Sequence, residues 1–200
     1  MDYFDILLAK KLSGGGGGGE NNLKAIAATG QQYIELPLYD DDNPIITFKM
    51  LITANSPQGI ILGDLWDLSA FCLYMESDTN CYFRYNSIYE NMYTIPQNRW
   101  NWSDVSIDYK TGKVIVDGKI YSTENPKTQL HNQIKLFGLA NEHMASVAIK
   151  DFKTYKNNEL YLDFEPRKDA ETGAGYFYDK VNKQNYYSGS NVPLIYSDLS

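Results

Sequence analysis

Cysteine, histidine, net positive charge and long apolar runs are all scarce in this chain, and each scarcity excludes something. Its two cysteines, Cys72 and Cys81, flank the turn-like run 76–80, whose centre near Asp78 sets Cys81 opposite Met75 or Glu76. At ~3.3 Å of rise per strand residue, Cys72 then falls beyond the reach of a disulfide. Two free thiols are expected, and nothing in them points to an oxidising compartment. The two histidines, His131 and His143, stand apart without a nucleophile motif and read as surface or loop residues. Lys and Arg number 18 against 25 Asp and Glu, for a net charge of -7. A nucleic-acid partner needs clustered cations to displace counterions, so none is expected. An acidic chain also repels anionic membranes, and no apolar run approaches the length of a spanning helix. No membrane partner is expected. The opening MDYFDILLAKKL places Asp2 and Asp5 where a signal peptide carries cations, and its apolar run 6–9 is too short; no signal peptide is evident.

What the chain has in quantity is strand-forming material: 17 Tyr, 8 Phe and 3 Trp beside many Ile and Val, without a long helical period. Two hundred residues, 43% apolar, suffice for one sizeable core. The densest signal is WNWSDVSIDYKTGKVIVDGKIY, Trp100 to Tyr121. Val105 and Ile107 alternate into a polar turn at 108–112, and 114–116 run into Asp117-Gly118, a step that supplies the positive φ of a tight hairpin. Further strands are expected at 45–52, 59–62, 70–75, 81–85, 133–138 and 145–155, separated by Asn, Gly, Pro and Asp clusters. Many short strands with one apolar face require an opposing sheet about 10 Å away.

Residues 1–19 differ. Phe4, Leu7, Leu8 and Leu12 recur at helical spacing, then six glycines, Gly14 to Gly19, form a coil spanning ~13 Å root-mean-square. The segment reads either as a disordered tail or as a short helix that docks elsewhere on a tether. The remainder, 20–200, reads as one domain that includes a C-terminal hairpin built from 176–178 and 186–187.

The Trp-led strand followed by VDGK resembles the laminin G-like and concanavalin A-like jelly rolls of gut bacterial and prophage tail-associated proteins. Thr29, Gly30, Gln32, Tyr33 and Ile34 are similar to the opening strand of that family. Glu35-Leu36-Pro37 depart from it, so the family's next turn is not carried over. IKLFGLANEHMASVAIKDFKTYKNNEL (134–160), LDFEP (162–166) and GAGYFYDKVNKQNYYSGS (173–190) resemble its closing strands and tail, in order. The resemblance implies an all-β, two-sheet antiparallel jelly-roll sandwich behind the short leader. It also implies that Trp102, as the strand-opening Trp, is core. Family members that hydrolyse glycans carry Glu-x-Asp-x-x-Glu on one strand. Here Glu76-Ser77-Asp78 is followed by Cys81 and falls in a turn, and Asp163-Phe164-Glu165 ends at Pro166 without a partner carboxylate. No enzyme is expected.

Binding chemistry is concentrated in two loops. Tyr39-Asp40-Asp41-Asp42-Asn43-Pro44 clusters oxygens: either a calcium site at Asp40, Asp41 and Asp42 or a solvated acidic turn. Asp64 and Asp67 flank Trp66. Trp66, Trp100 and Tyr39 could stack on a sugar's C–H face while Asp40, Asp42, Asp64 and Asp67 take its hydroxyls; Trp100 reads rather as core, which leaves Trp66 the better candidate. The implied role is a non-catalytic adhesion module, binding a glycan or cell-surface receptor. Residues 1–13 would attach it to a virion protein, which sets it on a phage tail or a cell surface. The alternatives are a decoration protein that recognises no sugar, and a polysaccharide hydrolase.

Two measurements follow. Thiol titration of the denatured, unreduced protein is expected to count two reactive thiols; fewer would mean a bridge. Deleting 1–19 is expected to leave the melting temperature nearly unchanged, and a large drop would assign the leader to the core.

Overall fold

The computed structural model describes residues 24–53, 59–64, 71–75, 80–85, 88–94, 102–122, 131–138 and 144–197. At 80, 82, 84, 85, 88–94 and 122 it describes backbone alone. The leader expected over 1–19 lies outside the described residues. The strands, in chain order, are β1 (Ala25–Ala27), β2 (Ile34–Tyr39), β3 (Ile45–Ile52), β4 (Gly59–Gly63), β5 (Phe71–Met75), β6 (Asn80–Tyr85), β7 (Ile88–Thr94) and β8 (Ser103–Asp108). They continue as β9 (Lys113–Val116), β10 (Lys119–Ser122), β11 (Gln133–Leu136), β12 (Val147–Lys156), β13 (Glu159–Lys168), β14 (Gly175–Asp179), β15 (Gln184–Tyr186) and β16 (Ile195–Ser197). Two antiparallel sheets form a jelly-roll sandwich, the expected fold class. One runs β10-β9-β8-β3-β12-β13-β14-β15, with β1 and β16 attached beside β12; the other runs β2-β11-β4-β5-β6-β7. Among the described residues no helix is long and apolar enough to cross a membrane.

Period-two alternation decides which side chains fill the space between the layers. On the larger sheet Ile46, Phe48 and Met50 of β3, Val105 and Ile107 of β8, and Val114 and Val116 of β9 point inward. Asp117 and Gly118, at φ 49° and 79°, close β9 onto β10 with Val116 opposite Lys119. This is the expected hairpin, with both central residues at positive φ. Asn157 and Asn158, at 53° and 66°, do the same between β12 and β13.

A row of rings crosses the interior. Phe48 lies 5.9 Å from Phe152, Phe152 lies 5.1 Å from Phe164, and Phe164 lies 5.1 Å from Phe177. Phe137, which follows β11 in the smaller sheet, reaches Phe177 at 6.4 Å, so the row also joins the layers. Each buried ring contributes about 1.5–3 kcal/mol by burial, and each contact adds about 0.5–1.5 kcal/mol. A second junction pairs Tyr109, in the β8–β9 turn, with Phe71 of β5 at 4.4 Å. Burial, then the negative charges of Asp64, Cys72 and Asp40, hold the Tyr109 hydroxyl well above its ordinary pKa.

The motif around Thr29 has a structural explanation. The buried Gln32 amide oxygen accepts the Thr29 N–H at 2.8 Å, and its nitrogen donates to the Pro193 carbonyl at 3.0 Å. Start and end of the domain are thereby fastened, and β1 pairs with β16. The tail forms the expected hairpin, with Phe177 opposite Tyr186. β14 and β15 continue the larger sheet from β13 and so cover its edge. Their turn is built on Asp179, whose fully buried carboxylate accepts the N–H groups of Asp163, Val181 and Asn182.

Two readings need correction. Trp102 is not core between the sheets. It lies half-buried against Ala25, Ala27, Leu51 and Ala148, with the Lys150 ammonium 4.6 Å from its ring centroid. Val105 and Ile107 occupy the inward parity of β8, and an even-numbered residue just before the strand belongs to the other face. Glu35-Leu36-Pro37, by contrast, continue β2 without the family's turn, in line with their departure from it. Pro37 is tolerated because β2 is an edge strand, and the register with β11 shifts beside it. Second, β1, β7 and β16 were not anticipated. The cysteines conform: Met75 pairs with Cys81 and Cys72 with Arg84. Both thiols are free and buried, and burial, then Cys72, pushes Cys81 up to about 12.

Phe164→Ala is expected to cost about 3–5 kcal/mol in denaturant unfolding, because it removes the middle of the ring row. A methyl group on Gly59 would sit 2.3 Å from the Met144 carbonyl oxygen, so Gly59→Ala is expected to cost about 1–3 kcal/mol or more. Ile120, 58% exposed, is the control: Ile120→Ala should change stability by less than about 0.5 kcal/mol.

Candidate functional site

The acidic run closes β2 and turns at one end of the sandwich. Asp40–Asp42 form a single 3-10 turn, ended by Asn43 in the left-handed conformation at φ 51°, which asparagine tolerates. Each carboxylate is engaged separately. Asp40 is fully buried and accepts the Asn132 N–H at 2.9 Å, while its own N–H donates to the Asn132 carbonyl. Asp41 pairs with His131 Nδ1 at 2.8 Å. Asp42 accepts the Tyr39 N–H at 3.0 Å and holds the Lys156 ammonium. That hydrogen bond is the main cause raising Lys156 above its ordinary pKa. Calcium needs six to eight oxygens aimed at one point. Here the three carboxylates serve three different partners, and among the described residues no three His, Cys, Asp or Glu side chains are grouped to hold a metal.

Tyr39 is placed by the same turn. Its ring stacks on His131 with centroids 4.2 Å apart and planes 5° apart. His131 is a loop residue, as read, but a fixed one, at φ 58° and bound to Asp41. Asp64 lies at the same end of the smaller sheet yet points inward. It is buried, donates its backbone N–H to the Phe71 carbonyl at 3.1 Å, and accepts the Phe71 N–H on its carboxylate at 2.9 Å. Trp66, Asp67 and Trp100 lie outside the described residues. The structure therefore brings Tyr39, Asp40 and Asp42 together and gives the two acids internal partners.

A polar hollow of about 480 Å³ opens beside this turn, lined by Asn43, Asp108, Lys110, Tyr155, Asn157 and Asn158 around Ile45. Its floor follows from register: Asp108, Ile45 and Tyr155 are direct neighbours across β8, β3 and β12. Asp108 is held by its own turn, accepting the Lys110 N–H at 2.9 Å and the Thr111 hydroxyl at 2.7 Å. Asn43, Asn157 and Asn158 all have positive φ. Their amides thus sit on rigid turns, presenting donors and acceptors at a rim. Sequence reasoning recognised the 108–112 turn but missed the hollow. The signal was the paired Asn157-Asn158 between two alternating strands, which marks a hairpin tip with the same chemistry as Asn43.

No protein-family model matches the sequence, and no curated protein matches it. Among solved structures, domains LG4-5 of the mouse laminin alpha1 chain are similar at a TM-score of 0.47 and 14% identity, over 70% of this chain and 44% of that one. A mutant of Trypanosoma rangeli sialidase displaying trans-sialidase activity is similar at 0.44 and 12% identity, over 60% of this chain and 22% of that one. The chain thus covers less than half of either.

Proposed function

We propose that the chain is a non-catalytic binding module that takes a glycan of a cell surface in the turn-lined hollow at the end of the sandwich. The observation that carries this is the hollow's lining: three asparagines, an aspartate, a lysine and a tyrosine around a single isoleucine. Neutral amides and a phenol on rigid turns suit a ligand with hydroxyls on its edges and C–H groups on its faces. The stacked Tyr39–His131 pair belongs to the turn that ends in Asn43 of the lining. A non-catalytic reading is supported by the carboxylates of β13. Asp163 is tied to Lys180 at 2.8 Å and Glu165 to Arg167 at 3.2 Å, whereas glycoside hydrolysis needs two carboxyl groups facing each other across the sugar. Attachment through residues 1–13, on a virion tail or a cell surface, completes the proposal. Many copies of one weak site would then hold a cell by avidity.

A multimerised form of the chain is expected to bind a subset of a glycan array. Asn158→Gly keeps the positive φ while removing the amide, and Tyr155→Ala removes part of the floor. Each should weaken binding about tenfold, or roughly 1.4 kcal/mol. Silence of the multimer across the array, or unchanged binding by both variants, would refute the assignment. Incubation with bacterial and plant polysaccharides should release no reducing ends; turnover abolished by one acid substitution would favour a hydrolase.

A further inference from the structure

The tail that extends the larger sheet carries a second feature on its outer face. Register sets Glu165 opposite Tyr178 and Arg167 opposite Tyr176, with Asn185 beside Tyr178. All five point away from the buried Phe164, Pro166, Phe177 and Tyr186, and Tyr187 follows directly. Two aromatic stations result. At one, the rings of Tyr176 and Tyr187 lie 4.9 Å apart at 30°, and Asn185 donates to the Tyr187 hydroxyl at 3.4 Å. At the other, the Arg167 guanidinium sits over Tyr178, its carbon 3.7 Å from the ring centroid, with Glu165 accepting its Nε–H at 3.2 Å. Tyr176 and Tyr178 are two residues apart on one strand, which spaces the stations about 7 Å.

We infer that this outer face of β13–β15 is a binding platform for an extended, neutral polysaccharide chain lying across both stations. Three observations select that occupant. Its outward residues, Glu165, Arg167, Tyr176, Tyr178, Asn185 and Tyr187, combine ring faces with hydrogen-bonding groups and include no aliphatic side chain. A sugar's C–H face and hydroxyl edge ask for that combination, whereas the buried centre of a protein interface is more apolar. Charge is matched within the platform, since Arg167 is already paired with Glu165, and the chain as a whole carries -7; both disfavour a polyanion. Finally, the stations lie side by side along β14 on the outer face of the sheet, a row that fits the interior of a chain better than a terminal sugar. The platform is distinct from the hollow. Glu165 lies roughly 23 Å along β13 from Asn158 at a strand's rise per residue, so the inference stands on its own residues.

The test is retention of the full chain on insoluble cellulose, chitin and xylan, with free monosaccharide as competitor. Retention by at least one matrix is expected, unaffected by monosaccharide, reduced tenfold or more by Tyr187→Ala and by Tyr176→Ala, and preserved by Tyr187→Trp and by Asn158→Gly. Circular dichroism unchanged in the alanine variants would exclude unfolding as the cause. Retention on none of the three would overturn the platform, as would loss on Asn158→Gly with no effect of the tyrosine variants, which would leave the hollow alone as the site. Sedimentation supplies the remaining outcome: a dimer that Tyr187→Ala converts to monomer would assign this face to a second copy of the chain and end the proposal.

Discussion

The structure depends on the row of rings from Phe48 through Phe152 and Phe164 to Phe177. Each ring comes from a different strand of the larger sheet, and Phe137 meets the row from the smaller sheet. Hydrogen bonds along a sheet fix neighbours but not faces, because a ladder slipped by one residue still pairs its backbone. What forbids the slip is that it would bring Glu165 and Tyr178 inside and turn Phe164 and Phe177 to solvent. Several buried rings at about 1.5–3 kcal/mol each exceed anything a surface ion pair contributes, about 0–1 kcal/mol. The pairs Lys180–Asp163 and Arg167–Glu165 therefore follow from the register and do not set it.

That reasoning also explains what was legible in the sequence. Strands with strict alternation and a tight turn were readable: β3, β8 and β9 follow from Ile46, Phe48, Val105, Ile107 and Val114, and the β9–β10 hairpin follows from Asp117-Gly118. The same holds for Cys81 opposite Met75, which only required finding the centre of the turn. Trp102 failed because its core position was taken from the resemblance, whereas parity with Val105 and Ile107 puts it on the other face. β1 and β16 failed because three-residue strands carry too little pattern. Their cause is tertiary, with Gln32 bonding to the Pro193 carbonyl far along the chain.

The acidic turn shows why composition is a poor guide to a site. Three adjacent aspartates suggest a cation shell, yet each is drawn to a different internal partner: the Asn132 backbone, His131, and Lys156 with the Tyr39 N–H. Asp64 likewise spends its carboxylate on the Phe71 N–H. An acid that closes a turn or a connection is held by nearby donors, and it offers a ligand less than neutral asparagines exposed at hairpin tips. Asn157 and Asn158, exposed at one such tip, gave weaker sequence signals than Asp40, Asp41 and Asp42, as did Tyr155 and Asn43, whose own amide donates to the Asp41 carbonyl. They are near one another only because Asp108, Ile45 and Tyr155 come into line across three strands that are distant in sequence.

The tail applies the same constraint to both of its faces. Alternation that seats Phe164, Phe177 and Tyr186 in the core leaves Glu165, Tyr178, Tyr176 and Asn185 no choice but to face out, and Asp179, buried with four donors around it, locks the turn that sets their register. A platform produced this way requires no flexible loop to order itself, so its rings are in place before anything meets them and little entropy is lost on contact. The hollow owes its rigidity to positive-φ turns; the platform owes it to the buried side of the same strands. Disturbing Phe164 or Phe177 should therefore misplace Tyr178 and Arg167 without touching either, because the outward rings are held by what lies directly behind them.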